Sequence, residues 1–308
     1  MESLKRTEYY YRKENVLQNV AVWQFPKDKA AQPAPGSAKY WLIFIHGGAW
    51  RDPRSTFDEA EPTINALLDP TSKWHMPDAA SRIAGFASLN YRLSPHPDFA
   101  QDTDTTPSFA ARVARHPDHL DDVVSGLRFL QQQLGFGGGA SGSGYVLFGH
   151  SAGAFLAYQA LLGPNLCSRG LGGDFVAPAA VVGFEGIYDL VGLDGRMGGE
   201  YAGFMEAAFG EDRDGWRAAS PATAAGSFGK WAGQKGPRLA VLAHSADDEL
   251  VDMPEVGTME ERLRRDGVRD LLVFRDLKGG HFDVVRDGSF ARVLIRTLDR
   301  LTSLEGQE

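Results

Sequence analysis

Six apolar segments of strand length recur along the chain, and helical patterns separate several of them. Continuous apolar runs of this length are typical of parallel strands that are buried on both faces. The alternation of strand and helix therefore predicts the α/β class, a mostly parallel central sheet with helices on both faces. The predicted strands are Tyr40–Ile45, Phe86–Asn90, Tyr145–Phe148, Ala180–Phe184, Leu239–Ala243 and Leu271–Phe274.

Other segments complete the expected domain. Tyr9–Phe25 is expected to hold edge strands. Residues 189–237 lack strand periodicity and are rich in Gly and Ala, so we expect a small helical cap or insertion there, within a single domain that spans residues 1–308. Apolar residues with helical spacing predict four helices, which are His116–Leu134, Ala152–Leu162, Val256–Arg265 and Phe290–Leu304.

Composition narrows the possible partners. The 308 residues are 43% hydrophobic and carry a net charge of -8, which disfavours binding to nucleic acid or anionic lipid. No apolar run approaches the ~18 residues needed to span a bilayer, and the N-terminus does not resemble a signal peptide. The lone cysteine, Cys167, excludes an intrachain disulfide and fits a reducing compartment. We expect a cytoplasmic protein with a small-molecule substrate and no nucleic-acid or membrane partner, and a homodimer is left open.

A serine occupies a tight turn between a predicted strand and a predicted helix. The sequence there is Gly149-His150-Ser151-Ala152-Gly153, which matches the G-x-S-x-G pattern. Such a turn presents the serine Oγ at the edge of the sheet, and it is tolerated only where the flanking residues lack bulk. The N-terminus of the following helix also favours negative charge beside the serine. We therefore predict that Ser151 is a catalytic nucleophile.

A serine hydroxyl needs a base, and the base needs an acid that orients it. In this architecture the chain order is serine, acid, histidine, and only His244 and His281 follow Ser151. His281 lies in a glycine-containing loop after the last predicted strand, which favours it as the base, whereas His244 ends a strand. The acid is Asp247 or Asp248. We favour Asp248, because an apolar residue three positions later can anchor the next helix.

The first long apolar strand ends abruptly at the sequence HGGAW, residues 46–50. Attack on a carbonyl creates an oxyanion, which needs preformed N–H donors. Glycine has no side chain to block an approaching oxygen, so the backbone N–H groups of Gly47 and Gly48 can face it. The residue after the nucleophile, Ala152, supplies a further donor. These three residues are the predicted oxyanion hole.

These motifs together resemble the α/β-hydrolase superfamily. The oxyanion loop is similar to the HGGG of hormone-sensitive-lipase-like esterases but departs from it at positions 49 and 50. The HGG-x-W form, with GFEGIYDL at 183–190, resembles kynurenine formamidase (arylformamidase) of the fungal type. The resemblance covers most of residues 40–285 and rests on HGG (46–48), NYRLSP (90–95), GHSAG (149–153), DEL (248–250) and His281.

The resemblance implies an α/β-hydrolase fold and hydrolysis of N-formyl-L-kynurenine to L-kynurenine and formate in tryptophan breakdown. Ser151, His281 and Asp248 would form the triad, and neither a cofactor nor a metal is expected. Trp50 is expected to fill the space of a longer acyl chain or to stack on the kynurenine ring, with core packing as the alternative. Glu185, at the carboxyl end of a strand, is expected to contact the substrate or to pair with a loop arginine.

Two other functions fit the same residues. A general carboxylesterase would use the same groups on a different acyl chain and leaving group. A catalytically silent binding protein on this fold is disfavoured, because a serine, an acid and a histidine all occupy the expected places. Arg51 and Arg196 are candidates to bind a substrate carboxylate.

Overall fold

A computed structural model describes residues 4–26, 38–102, 104–135, 144–162, 166 and 175–306. Within these residues, eight strands form one sheet. Six of them correspond to the six predicted strands, and the other two lie near the N-terminus. The strands are β1 (Lys5–Tyr10), β2 (Asn19–Gln24), β3 (Tyr40–Ile45), β4 (Ile83–Leu89), β5 (Gly144–His150), β6 (Ala180–Phe184), β7 (Leu239–Ser245) and β8 (Leu271–Leu277).

The strands lie in the order β1-β2-β4-β3-β5-β6-β7-β8. β1 pairs antiparallel with β2, and β2 pairs antiparallel with β4. The remaining pairs, from β4 through β3 to β8, are all parallel. The predicted mostly parallel sheet is therefore confirmed. Of the strands expected at the edge in Tyr9–Phe25, only β1 lies at the edge, because β2 pairs with β1 on one side and β4 on the other.

Helices cover both faces of the sheet. The four predicted helices form with bounds close to those expected, although the helix predicted at Ala152–Leu162 ends at Gln159. Sequence periodicity missed two short helices, Glu61–Leu68 and Ala79–Arg82. The α-helices of the described residues are α1 (Glu61–Leu68), α2 (Ala79–Arg82), α3 (Asp118–Leu134), α4 (Ala152–Gln159), α5 (Leu190–Arg196), α6 (Ala202–Phe209), α7 (Arg213–Ala219), α8 (Gly229–Ala232), α9 (Pro254–Arg265) and α10 (Ser289–Glu305).

Two hydrophobic cores lie on opposite faces of the sheet, as alternating strand side chains require. On β5, Tyr145 and Leu147 face one core, which also contains the apolar faces of α3, α4 and α9. Val146 and Phe148 face the other core, which contains the apolar residues of α1 and α10. Burial on both faces explains why these strands are almost wholly apolar.

The carboxyl ends of the parallel strands meet at one edge of the sheet. The loops that follow β3, β5, β6, β7 and β8 all leave from this edge. They carry the HGGAW segment, Ser151, Glu185, Asp248 and His281, respectively. In open α/β sheets, ligands bind outside the carboxyl ends of the strands. The topology therefore brings every motif singled out in the sequence to one region.

The segment 189–237 contains α5 to α8 and no strand among its residues, as its composition predicted. It is tied to the loop after β6, because the N–H of Ala222 donates to the carbonyl of Tyr188 over 3.0 Å. Within the segment, the N–H of Leu190 donates to Ser220 Oγ over 3.0 Å. The division into one domain with a cap stays a prediction.

No described helix is long and apolar enough to cross a membrane. Cys167 lies outside the described residues.

Candidate active site

Ser151 lies in the tight turn between β5 and α4, and the turn is strained. Its φ is 53° and its ψ is -118°, a left-handed φ that non-glycine residues rarely adopt. A Cβ added to Gly149 would lie 2.3 Å from the carbonyl carbon of Gly153, and one added to Gly153 would lie 2.1 Å from the carbonyl oxygen of Ile45. Both glycines are therefore required by contact with neighbouring backbone. The predicted strand–turn–helix context of the serine is confirmed.

His281 and Asp248 form a buried hydrogen-bonded pair. The Nδ1 of His281 donates to Asp248 Oδ2 over 2.8 Å, so in the neutral ring Nε2 carries the lone pair. The second oxygen of Asp248 accepts the N–H groups of Leu250 and Val251 at 2.8 and 2.9 Å. Burial opposes ionisation of Asp248, but the hydrogen bond and charge of His281 outweigh it and lower the pKa of Asp248 to about 2. A fixed carboxylate therefore orients the imidazole.

The alternative acid and base lie elsewhere. Asp247 is exposed, and its carboxylate accepts the N–H of Gly279 over 3.2 Å. His244 is fully buried, and its Nε2 lies 2.8 Å from the carbonyl of Val251. The structure brings Asp248, and not Asp247, to His281.

Two further residues hold the loop that carries His281, and the sequence motifs did not point to either role. His150 is buried, and its Nε2 lies 2.9 Å from the carbonyl oxygen of His281. Its ring centroid lies 4.6 Å from that of His281. The carboxylate of Glu249 accepts the N–H of His281 over 3.0 Å. His150 precedes the serine directly, so the same turn that presents Ser151 also fixes the loop of the predicted base.

Tyr91 contacts the loop after β3 and stabilises it. The hydroxyl of Tyr91 donates to the carbonyls of His46 and Gly47 over 3.2 and 3.0 Å. Its ring stacks on that of His46 at 4.4 Å. One oxygen of the Glu59 carboxyl is buried, and burial raises the pKa of Glu59 to about 7.

A cavity of about 270 Å³ lies over the serine. The residues of the β3 loop that line it include Gly48 and Ala49, but Gly47 does not line it. The predicted roles of Gly47, Gly48 and Ala152 in an oxyanion hole stay predictions, and Ala49 is a neighbour that the sequence analysis did not consider. The wall also contains Ser151, Phe204, His281 and Phe282.

The two residues predicted to contact the substrate do not line this cavity. Trp50 is fully buried, and its ring packs edge-on against Phe155 and Phe209 at 5.1 and 4.9 Å. It reaches the cavity only through Phe204, 6.2 Å away. Glu185 is also fully buried, behind Asp248. A direct contact of either residue with a substrate stays a prediction. In this geometry, Trp50 can affect the cavity through Phe204, and Glu185 can affect it through Asp248.

The two candidate carboxylate-binding arginines differ sharply. Arg196 is held by Asp252 at 2.6 Å and by Glu255. Arg51 lines the cavity, and its guanidinium lies 5.5 Å from the ring centroid of Phe204. Within the described part of the chain, no carboxylate lies within ion-pair distance of Arg51. Asp98 and Asp52 interact with Arg51 only at longer range, so its guanidinium N–H groups can bind a ligand.

Among the described residues, one group of side chains has the chemistry of metal ligands. Glu185, His244 and Asp248 each place one ligand atom within 4.8 Å of the others. Most of these atoms already have hydrogen-bond partners: Asp248 binds His281, and both oxygens of Glu185 accept the N–H of Ser245. We interpret the group as a hydrogen-bonded network and not as a cation site.

Solved structures with the same architecture define the class of protein. Esterase B from Lactobacillus rhamnosis is 17% identical, with a TM-score of 0.65 over 100% of this chain and 90% of that one. Esterase 2 from Thermogutta terrifontis is 16% identical, with a TM-score of 0.62 over 96% and 94% of the two chains. These likenesses, together with the sheet topology, show that the chain has the α/β-hydrolase fold.

Sequence relatives define the family within that class. The kynurenine formamidase-like hydrolase fscH of Fusarium equiseti is 37% identical over 274 residues, 87% of this chain and 86% of that protein. Kynurenine formamidase avaC of Aspergillus versicolor is 35% identical over 80% and 84% of the two chains. Kynurenine formamidase of Meyerozyma guilliermondii is 30% identical over 82% of each. No protein-family model matches. The chain belongs to the kynurenine formamidase family, which confirms the resemblance drawn from its motifs.

The serine turn predicts the effect of one added methyl group. We expect Gly153→Ala to lower the free energy of unfolding by at least ~3 kcal/mol, because the new Cβ would overlap backbone of β3 that cannot move aside. Urea unfolding followed by circular dichroism would measure the change. The control is Gly257→Ala in α9, where an added Cβ meets no atom within 4 Å. There we expect no loss and a gain of up to ~1 kcal/mol. Equal stability of Gly153→Ala and the parent protein would contradict the packing described here.

Proposed function

We propose that this chain hydrolyses N-formyl-L-kynurenine to L-kynurenine and formate, as a step in tryptophan breakdown. Membership of the kynurenine formamidase family supports the substrate. The observation that carries the chemistry is the 2.8 Å bond from His281 Nδ1 to Asp248, with Ser151 and His281 in the wall of one cavity. An oriented imidazole and a serine in the wall of one cavity are the groups that hydroxyl activation requires.

In the first step, Ser151 Oγ attacks the formyl carbon while His281 Nε2 takes the hydroxyl proton. The imidazolium that forms is stabilised by the ionised Asp248, whose low pKa keeps it charged at neutral pH. The carbonyl oxygen becomes an oxyanion. Backbone N–H groups of Gly47, Gly48 and Ala152 are proposed to receive it, and the N-terminus of α4 favours the charge.

In the second step, His281 gives its proton to the departing aromatic amine, and the C–N bond breaks. Formyl-Ser151 remains. A water molecule then loses a proton to His281 and attacks the formyl carbon, and formate leaves as Ser151 regains its proton. Because each proton that His281 accepts is returned within the same half-reaction, the cycle needs no co-reactant other than water.

The substrate carries an aromatic ring and an amino-acid end, and the cavity offers groups for each. Phe204 and Phe282 present aromatic surface. The guanidinium of Arg51, unpaired among the described residues, is proposed to bind the substrate carboxylate, for which a planar fork of N–H donors is well suited. The helical segment 189–237 contributes Phe204 and is proposed to act as a cap.

The cytosol is proposed as the place of action, since a single cysteine fits a reducing compartment. A homodimer is the assembly we propose to test, by analytical ultracentrifugation.

Substrates that differ in the acyl group and the leaving group test the proposed function. We expect turnover of N-formyl-L-kynurenine with a kcat/KM at least about 100-fold above that for p-nitrophenyl butyrate, with p-nitrophenyl acetate between them, because binding groups for the amino-acid end add to the same chemistry. Absorbance of released kynurenine or nitrophenol gives the rates. Preference for the butyrate ester would indicate a general carboxylesterase. Absence of both turnover and fluorophosphonate labelling of Ser151 would indicate a silent binding protein.

Asp248 is expected to be essential for rate and not for binding. Asp248→Asn should lower kcat by about 10³- to 10⁴-fold, because an amide does not hold Nδ1–H of the neutral imidazole and favours the wrong tautomer. The matched control is Asp247→Asn, one residue away on the exposed side, where we expect less than about a threefold change. Steady-state kinetics with N-formyl-L-kynurenine measure both. A large loss in Asp247→Asn alone would assign the acid to the other carboxylate.

Arg51 is expected to act on the substrate and not on the chemistry. Arg51→Leu should raise KM for N-formyl-L-kynurenine by about 10- to 100-fold, since one charge-assisted hydrogen bond is lost. Turnover of p-nitrophenyl acetate, which lacks a carboxylate, should stay within about twofold. The control is Arg54→Leu, an exposed arginine of the same cavity that already pairs with Asp52 at 2.7 Å. An equal fall in activity on both substrates in Arg51→Leu would exclude carboxylate recognition.

A further inference from the structure

A second carboxyl group lies behind the predicted catalytic acid, on the side away from the imidazole. Glu185 directly follows β6, is fully buried and has a left-handed φ of 46°. Residues other than glycine rarely adopt this conformation, and strain of this kind clusters at functional sites. Both carboxyl oxygens accept the N–H of Ser245, at 2.9 and 3.1 Å. One carboxyl oxygen of Glu185 lies within 4.8 Å of one carboxylate oxygen of Asp248.

A hydrogen bond between two carboxyl groups requires a proton on one of them. Asp248 already accepts N–H groups on both oxygens, from His281 on one and from Leu250 and Val251 on the other. These donors stabilise its ionised form. A proton shared between the two therefore belongs to Glu185.

His244 supports the same assignment independently. Its Nε2 lies 2.8 Å from the carbonyl of Val251, and a carbonyl can only accept, so Nε2 carries the hydrogen. Burial lowers the pKa of His244 and favours the neutral ring, in which Nδ1 then holds a lone pair. Nδ1 is buried without a hydrogen-bond donor and lies 3.2 Å from Glu185 Oε2. An ionised Glu185 would place a negative charge against this lone pair, so the contact favours the neutral form of Glu185.

The charges around Glu185 also favour its neutral form. Burial, and then the neighbouring Asp248, raise the pKa of Glu185 to about 10. A second ionised carboxylate here would place two negative charges in one buried volume. The titratable groups that face Glu185 are Asp248, Glu249, His244 and Tyr188, with His281 and Asp252 one group further away.

We propose that Glu185 is a positioning residue of the triad, a neutral carboxylic acid whose O–H is directed to the Asp248 carboxylate and holds it against His281. This inference rests on the proposed function insofar as His281 is the base. It replaces the substrate contact expected for Glu185 from the sequence. The network behind the base then contains one negative charge, on Asp248, which is the charge that an imidazolium at His281 requires.

The test uses two substitutions and a readout that does not depend on the natural substrate. The second-order rate constant for labelling of Ser151 by a fluorophosphonate is measured from pH 5 to 9, beside kcat and KM for N-formyl-L-kynurenine. Glu185→Gln replaces a neutral acid by a neutral amide that can still accept from Ser245 and donate to Asp248. Glu185→Leu removes the donor. The matched control is Glu255→Gln, a fully buried glutamate that binds the N–H groups of Tyr188 and Asp189.

We expect Glu185→Gln to keep the labelling rate and kcat within about threefold and to leave the acidic limb of the pH profile unchanged, because no charge is lost. Glu185→Leu should lower the labelling rate and kcat by about tenfold or more with little change in KM. Glu255→Gln should not move the acidic limb. Rescue by glutamine and not by leucine separates positioning from packing.

Three results would overturn the proposal. A shift of the acidic limb in Glu185→Gln to lower pH by about half a unit or more would show that Glu185 is ionised, since loss of a nearby negative charge lowers the pKa of an imidazolium. Parent-like rates in Glu185→Leu would exclude a positioning role. A stoichiometric divalent metal in the purified protein, lost in Glu185→Gln, would make the group a cation site. If the parent protein labels but does not hydrolyse N-formyl-L-kynurenine, the proposed function fails, and the labelling rates still decide the role of Glu185.

Discussion

The close approach of the turn at Ser151 to β3 is the constraint on which the rest of the site depends. The backbone of Gly153 lies so near the carbonyl of Ile45 that no side chain fits between them. This contact fixes the position of Ser151 relative to the loop that begins at His46, and thereby the distance between the predicted nucleophile and the predicted oxyanion donors. It also places His150 where its ring can hold the carbonyl of His281. One steric contact therefore couples three segments that are far apart in the chain.

Residues that directly follow a strand could be located from the sequence alone. Ser151, Asp248 and His281 each follow a parallel strand, and a continuous apolar run marks a buried parallel strand more clearly than any other element. The choice between Asp247 and Asp248 depended on where the next helix is anchored. In the structure, the N–H of Val251 binds Asp248, so the anchoring apolar residue and the ionised acid belong to one turn.

Other features could not be predicted, because they depend on contacts between distant segments or on single backbone angles. The bond between His150 and His281 joins residues 131 positions apart. Trp50 follows the oxyanion glycines, which suggested a substrate contact. Positive φ angles of 49° at Ala49 and 59° at Trp50 instead accompany an indole that packs in the core. The helices α1 and α2 are too short for their periodicity to exceed chance.

The site contains two buried carboxyl groups within 4.8 Å of each other whose pKa values are shifted in opposite directions. Burial opposes ionisation of Asp248, but three N–H donors and the charge of His281 lower the pKa of Asp248, whereas burial and the neighbouring Asp248 raise the pKa of Glu185. Environments that push two like groups apart in this way assign different roles to them. An ionised pair would repel and would offer His281 a diffuse double charge, whereas a neutral pair would leave the imidazolium without a counter-ion. A singly ionised pair avoids both costs, and it explains why a carboxylic acid, and not an apolar residue, occupies a strained and fully buried position beside the acid of the triad.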